Sequence, residues 1–281
     1  MVQNEGYFNS FDGTSIFYRK DITPNIKEIV LIVHGIAEHS GRYEYVKDKL
    51  LKAGYGVYRF DHRGHGKSGG KKGYVSSFDN FLKDVDCIVN MIKREHSGFP
   101  LYILGHSMGG LITACYGIEC GEKINGEIII GAPTGYISLK TKLQSISFPY
   151  ILKGQVPNSL SKLICRDPKV VEQYKNDEFV LKVTTTKLNL ELASNSSRIR
   201  KNLKKYKCPC LILHGKDDKI VSCFNSSNFY EKISSEDKEL KIYDGLYHEI
   251  LNEVCRDDIL EDICGWLDRK VNMEYSDKIV L

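Results

Sequence analysis

PLYILGHSMGGLI, residues 100 to 112, decides how the rest of this 281-residue chain is read. Its first half, Leu101 to Leu104, is a short apolar run that suits a strand covered on both faces of a sheet. Its second half resumes at Met108 with glycines and apolar residues in a helical pattern running on through Ala114 and Cys115. Between the two, GxSxG sets a glycine on either side of Ser107. A residue without a Cβ lets two backbones come close, so a tight turn there holds the serine hydroxyl off the end of the sheet. A serine between a strand and a helix in that setting is a candidate nucleophile, whereas its blander duty would be to cap the helix that follows.

Outward from this turn the same alternation repeats. EIVLIVHG (28 to 35) and GYGVYRFD (54 to 61) read as buried parallel strands, joined by a helical pattern from Tyr43 to Ala53 that Gly54 stops. After a glycine-rich loop, Phe81, Leu82, Val85, Ile88, Val89 and Ile92 form one helical stripe. GEIIIGAP (126 to 133), CPCLILHG (208 to 215) and ELKIYDG (239 to 245) supply further strands. A last amphipathic helix is predicted over Val254 to Leu267, with Ile259, Leu260, Ile263, Cys264 and Trp266 available for packing. Tyr7 to Tyr18 fits a hairpin at the sheet edge. The expectation is an α/β protein with a mostly parallel central sheet and helices on both faces.

One interval breaks the rhythm. From 135 to 207 the chain is too long for a simple crossover, lacks a convincing strand for the sheet, and suggests short helices at 140 to 152 and 177 to 195. We therefore expect a core in two parts, 1 to 134 and 208 to 281, with an inserted helical cap over 135 to 207. Ile146, Phe148, Tyr150, Ile151 and Leu152 form an apolar cluster in it that either buries itself or lines a substrate entrance. The alternative is a helical elaboration with no substrate role.

Composition narrows the classes. With 42% hydrophobic residues and only 7 prolines the chain is ordered and globular, not a disordered binder. The net charge of +4 arises from basic residues dispersed among 36 acids, weak support for a nucleic-acid or anionic-membrane partner, and no nucleic-acid motif is present. No apolar run spans a bilayer and no signal-peptide pattern opens the chain, so a cytoplasmic protein is expected. Nine cysteines, an odd number, fit buried thiols, and the Cys208, Cys210 pair reads as strand alternation better than as metal ligation.

A serine hydroxyl needs a base. His248, in GLYHE after the last strand, sits on a loop at the same sheet edge as Ser107, and Asp217 or Asp218 brings a carboxylate there; local spacing does not choose between them. His106 points badly for a base and reads as structural. The backbone N–H groups of Ile36 and Met108 could face the oxyanion formed on attack. His34, Glu38 and His39 do not have HExxH spacing, and loop support or substrate contact suits them better than a metal. DHRGHGKSGG (61 to 70) is neither a P-loop nor a dinucleotide turn; Arg63 and its flanking histidines brace loops. No cofactor and no metal are expected.

Taken together, HGIAEHSGRY, DHRGHGKSGG, GHSMGG, HGKDDKIV and IYDGLYHE resemble the monoacylglycerol lipase and lysophospholipase branch of the α/β-hydrolases, serine aminopeptidase S33-like, over nearly the entire chain except the cap. The resemblance implies an α/β-hydrolase fold, with Ser107 as nucleophile, His248 as base and Ile36 and Met108 as oxyanion donors. In that family the acid precedes one variable residue and an aliphatic pair, so Asp218, before Lys219, Ile220 and Val221, is the implied acid. The cap apolar residues Ile146, Phe148, Ile151 and Leu152 then look like an acyl-chain entrance. The substrate implied is a lipid ester, monoacylglycerol or lysophospholipid, with transient contact between the cap and a membrane surface. Small-ester esterase, thioesterase and acyltransferase chemistry use the same triad, and a non-catalytic ligand binder on this fold is the reading from a different class.

Overall fold

Strand and helix alternate along the chain because buried apolar runs of five or six residues are followed by amphipathic ones. The computed structural model describes residues 2–135 and 154–279. It opens with an antiparallel hairpin of β1 (Val2–Asn9) and β2 (Ser15–Ile22). Then come β3 (Ile29–Val33), α1 (Glu44–Lys52), β4 (Gly56–Phe60), α2 (Asp79–Glu95), β5 (Leu101–His106), α3 (Met108–Cys120) and β6 (Gly126–Ile130). The interval after β6 contributes β7 (Gln155–Pro157), α4 (Pro168–Asn176), β8 (Val183–Thr185) and α5 (Thr186–Asn202). The chain continues through β9 (Cys210–Gly215), α6 (Phe224–Lys232), β10 (Lys238–Tyr243) and α7 (Arg256–Ile279).

Eight strands share one sheet in the order β1-β2-β4-β3-β5-β6-β9-β10. From β4 to β10 all neighbours are parallel, and β2 runs antiparallel to β4, which puts the hairpin at the edge. The order reverses around β3: β4 lies on one side of it and β5, reached after the chain crosses back, on the other. Loops leaving the C-terminal ends of β3 and β5 diverge there, and such a switch point is where open α/β sheets hold ligands. Ser107 follows β5 and Ile36 follows β3 by three residues.

Each central strand serves two cores. Ile29, Leu31 and Val33 join one apolar cluster with Leu101, Ile103 and the α2 stripe Phe81, Leu82, Val85, Ile88, Val89 and Ile92. Val30 and Ile32 join another with Tyr102, Leu104, Val46 and Leu50 of α1, and Ile259, Ile263 and Trp266 of α7. This is the period-two alternation of a sheet covered on both faces.

The interval between β6 and β9 departs from expectation in three ways. In place of a helix over 177 to 195, α5 begins only at Thr186, β8 precedes it, and α4 lies ahead of the expected range altogether. Asp167 accepts from Lys169 N ahead of Pro168, and Thr185 accepts from Leu188 N, so side-chain caps and a proline at the first helical position fix both starts. Secondly, β7 and β8 pair into a small antiparallel sheet. Thirdly, α5 belongs to the main core: its Leu188 and Ile199, with Leu203 just beyond it, lie in the cluster with α2 and α3, while Ile164, Cys165, Tyr174 and Val180 form a separate small one. The expected helix at 140 to 152 lies outside the described residues.

The charge, too, is segregated where it was expected to be dispersed. Residues 135 to 207 hold 15 Lys and Arg against 5 Asp and Glu, a net +10, and the remainder of the chain carries a net −6. The small overall total of +4 hides this by cancellation. Among the described residues no helix is long and apolar enough to cross a membrane, and all nine cysteines are unpaired.

Candidate active site

Ser107 adopts φ 54° and ψ −116°, a backbone conformation that L-residues rarely occupy. The turn is pinned on both sides by sequence. A Cβ at Gly105 would come within 2.6 Å of the Gly109 carbonyl oxygen, and one at Gly109 within 2.5 Å of the His34 carbonyl oxygen, so neither position admits a side chain. Ser107 N donates to Ile130 O at 2.8 Å and Leu111 N donates to Ser107 O at 3.0 Å, which ties the turn to β6 and to the start of α3. The Ser107 hydroxyl makes no capping bond to α3, which leaves it available for other partners.

That partner is His248. Its Nε2 lies 2.8 Å from Ser107 Oγ, and its Nδ1 lies 2.6 Å from Asp218 Oδ2. Asp218 is positioned by the turn after β9, where Oδ1 accepts from Ile220 N at 2.7 Å and Val221 N at 2.9 Å. Burial works to raise its pKa, but the charge of His248 and hydrogen bonds from His214 and His248 prevail and hold the carboxyl well below the usual range. Asp217, whose backbone N–H bonds Leu246 O, is exposed at the side chain. The geometry therefore brings Asp218, and not its neighbour, to the imidazole.

The loop after β3 closes the site from the other side. Gly35 N donates to Glu38 Oε1 at 2.5 Å, and Ala37 takes φ 63°, a second strained non-glycine residue. Among the described residues neither the Ile36 nor the Met108 backbone N–H has a hydrogen-bond acceptor, so both remain free to receive one.

Around this arrangement stand His214, Arg42 and Glu249, which carry no role in the sequence reading, and Glu38 and His106, which it took as structural support. His214, at the end of β9, places Nε2 3.0 Å from Asp218 Oδ2 and Nδ1 2.7 Å from Ser226 Oγ, a second imidazole on the same carboxylate oxygen. Its only signal is the spacing HGKDD, in which it stands four residues before Asp218. Beneath the loop, Arg42 bridges Glu38 Oε2 at 2.8 Å and Glu249 at 2.7 Å through both terminal nitrogens. Glu38 Oε1 also takes Tyr43 OH at 2.9 Å and faces His106 Nδ1 at 3.1 Å. HGIAEHSGRY carries Glu38, Arg42 and Tyr43, yet only folding brings His106 and Glu249 to them.

The supporting roles of the other polar residues are specific. Arg63 holds Asp84 and Asp12, anchoring the glycine-rich loop to α2 and the first hairpin. His34, His62 and His65 stack edge to face in the interior, with His34 Nε2 accepting from His62 N at 2.9 Å. His39 reaches Asp177 at 2.8 Å, and Arg42 lies 4.7 Å from the ring centroid of Tyr174, so the interval after β6 rests on this loop. Ile146, Phe148, Ile151 and Leu152 lie outside the described residues. A surface cavity of about 660 Å³ borders Tyr247 with Lys162, Arg166 and Lys175 on its walls, and neither Ser107 nor His248 lines it.

Compared with known proteins, residues 24–254 match the family described as serine aminopeptidase, S33. The chain is 31% identical to a monoacylglycerol lipase of Mycolicibacterium smegmatis, over 95% of this chain and 97% of that one. It is also similar to the crystal structure of a Paleococcus ferrophilus monoacylglycerol lipase, with 31% identity, a TM-score of 0.78, and 91% and 99% of the two chains covered. A soluble variant of monoglyceride lipase from Saccharomyces cerevisiae, solved in complex with a substrate analog, shares 25% identity and a TM-score of 0.83 over 96% of each chain.

Proposed function

The chain belongs to the serine aminopeptidase S33 family of hydrolases, and from that premise we propose that it is a carboxylic ester hydrolase that cleaves monoacyl lipids through an acyl-enzyme on Ser107. The observation that carries this reading is a serine in a strained strand-to-helix turn, 2.8 Å from an imidazole whose other nitrogen lies 2.6 Å from a buried carboxylate.

In this mechanism Ser107 Oγ attacks the ester carbonyl as His248 Nε2 takes its proton. Asp218 fixes the tautomer with the proton on Nδ1 and stabilises the imidazolium that forms. The Ile36 and Met108 N–H groups receive the developing oxyanion. When the tetrahedral intermediate collapses, His248 returns the proton to the leaving alcohol, and a water activated by the same imidazole then hydrolyses the acyl-enzyme. The lipid substrate, monoacylglycerol or lysophospholipid, is supported by the relatives that are monoacylglycerol lipases.

The interval 135 to 207 acts as the cap, with Ile146, Phe148, Ile151 and Leu152 admitting the acyl chain. Transient contact between this interval and a lipid surface belongs to the same reading, supported by its net charge of +10. The test is labelling by a fluorophosphonate, followed by product analysis on monoacylglycerols, lysophospholipids, thioesters and short esters with and without an acceptor alcohol. Labelling absent from the folded protein would remove the reading in favour of a ligand binder; preference for a thioester or for transfer to alcohol would redirect it within the same chemistry.

A further inference from the structure

We propose that His106, the neighbour of the nucleophile, is held as an imidazolium in the resting protein and positions the base from behind. Its role as a positioning residue rests on the acyl-transfer reading above; its charge state does not.

A neutral imidazole offers one donor and one acceptor. His106 Nδ1 faces Glu38 Oε1 at 3.1 Å, and Nε2 faces the backbone oxygen of His248 at 3.3 Å. A carboxylate and a carbonyl only accept, so either neutral tautomer would turn a bare nitrogen lone pair against oxygen. Protonation at both nitrogens satisfies both contacts. Glu38 is itself ionised, since it also receives Gly35 N, Tyr43 OH and Arg42 Nη1. Glu249 takes both terminal nitrogens of Arg42 and the Asn252 amide.

The count of charges leads to the same place. Glu38, Arg42, His106 and Glu249 are all buried or nearly so, with side-chain exposures of 4%, 9%, 6% and 6%. With His106 neutral, this group holds two carboxylates and one guanidinium, an unbalanced charge where unbalanced charge is most costly. With His106 as imidazolium the total is zero. Two other groups face this set: the His248 ring lies 4.8 Å from that of His106, with Asp218 on its far nitrogen, and Tyr43 is held well above its ordinary pKa by burial and then by the nearby carboxylates, and so stays a neutral donor. Burial works against the charge on His106, but the hydrogen bond and charge of Glu38 outweigh it and raise its pKa above the ordinary value.

The cation joins three segments. Through Glu38 it is linked to Gly35 and the loop that carries Ile36, through its own backbone to Ser107, and through Nε2–H to the main chain of His248. Loss of the proton would set a lone pair against the His248 carbonyl and loosen the base loop while leaving the hydrophobic cores untouched.

The test uses full-length protein labelled with 15N-histidine, its ring nitrogens followed by NMR from neutral to alkaline pH alongside the pH profile of kcat/KM. The expected result is a His106 ring protonated on both nitrogens at neutral pH, with an alkaline limb in kcat/KM that coincides with its titration. Glu38→Gln should move both to lower pH by about one unit or more, the scale of removing a contacting opposite charge. A ring with one bare nitrogen at neutral pH overturns the proposal. A limb that fails to follow the His106 titration, in wild type or in the variant, overturns the positioning role, and should Glu38→Gln not fold, the wild-type coincidence decides alone. Failure of fluorophosphonate labelling would defeat the acyl-transfer reading and the positioning role with it, while the NMR result on charge would stand.

Discussion

At the scale of single residues, the contest between Asp217 and Asp218 shows what a sequence conveys about a site. Ser107 and His248 were legible because each follows a readable strand at the same edge, and one of them sits in a glycine-flanked turn. The two aspartates follow one strand consecutively, and the difference between them lies in a turn whose backbone N–H groups at Ile220 and Val221 seize Asp218 Oδ1. Only the succession Lys219, Ile220, Val221 hinted at it, through resemblance. His214 was invisible because a histidine closing a buried strand looks like any other core residue. We expect Asp218→Asn to reduce ester turnover by about 10⁴-fold, and Asp217→Asn to leave it near wild type, as steady-state kinetics on folded variants will show. Ser107→Ala should remove roughly a millionfold of turnover without unfolding the protein. Equal, modest losses at the two aspartates would mean that either carboxylate serves.

At the scale of elements, what could be read was the alternation and what could not was the layout of the interval after β6. Periodicity located the α2 stripe residue by residue because all six apolar positions are buried. The same approach missed α4 and began α5 nine residues early, since it followed apolar spacing and passed over Asp167–Pro168 and Thr185, the capping signals that mark the two starts. The last helix begins at Arg256 and continues to Ile279, past the expected end at Leu267, because no proline or glycine stops it. The junction of β5 and α3 makes the sharpest test at this scale. Gly109→Ala would drive a methyl group into the backbone at the end of β3, at a cost of about 3 kcal/mol. Urea unfolding will measure it; a loss below a few tenths of a kcal/mol would mean that the turn relaxes more readily than its contacts imply.

At the scale of the whole molecule, two properties follow from where charge and histidine lie. Desolvation leads the causes that lower His34 to about 3 and His65 to about 4, and it also brings His62 well below its ordinary value. Folded, the three stay neutral; unfolded, each takes up a proton below about pH 6.5. Stability is therefore complete above that value and falls as pH drops toward about 4, by about 1.4 kcal/mol per pH unit for each histidine. Denaturant titrations across this range should show the slope, and a flat profile would contradict neutral burial. The second property is the segregation of charge, which predicts binding to vesicles containing anionic lipid, weaker binding to neutral ones, and release by salt as the Debye length shrinks. Binding indifferent to both lipid charge and salt would assign the contact to apolar residues alone.

The adjacency of β6 and β9 has a further meaning for how such a molecule can change over generations. Their parallel ladder, Glu127 opposite Cys210 through Ile130 opposite Leu213, needs only a crossover helix over one face, and α5 with Leu188 and Ile199 in the core supplies it. The described elements β7, α4 and β8 are no part of that minimal unit. On the cap reading proposed above, sequence drift, insertion or wholesale exchange there alters what meets the mouth of the site, while the hydrogen-bonded seam between the two strands stays intact and keeps Ser107 on one side of the excursion in register with Asp218 and His248 on the other. Inheritance can thus try new appetites on an unchanged engine.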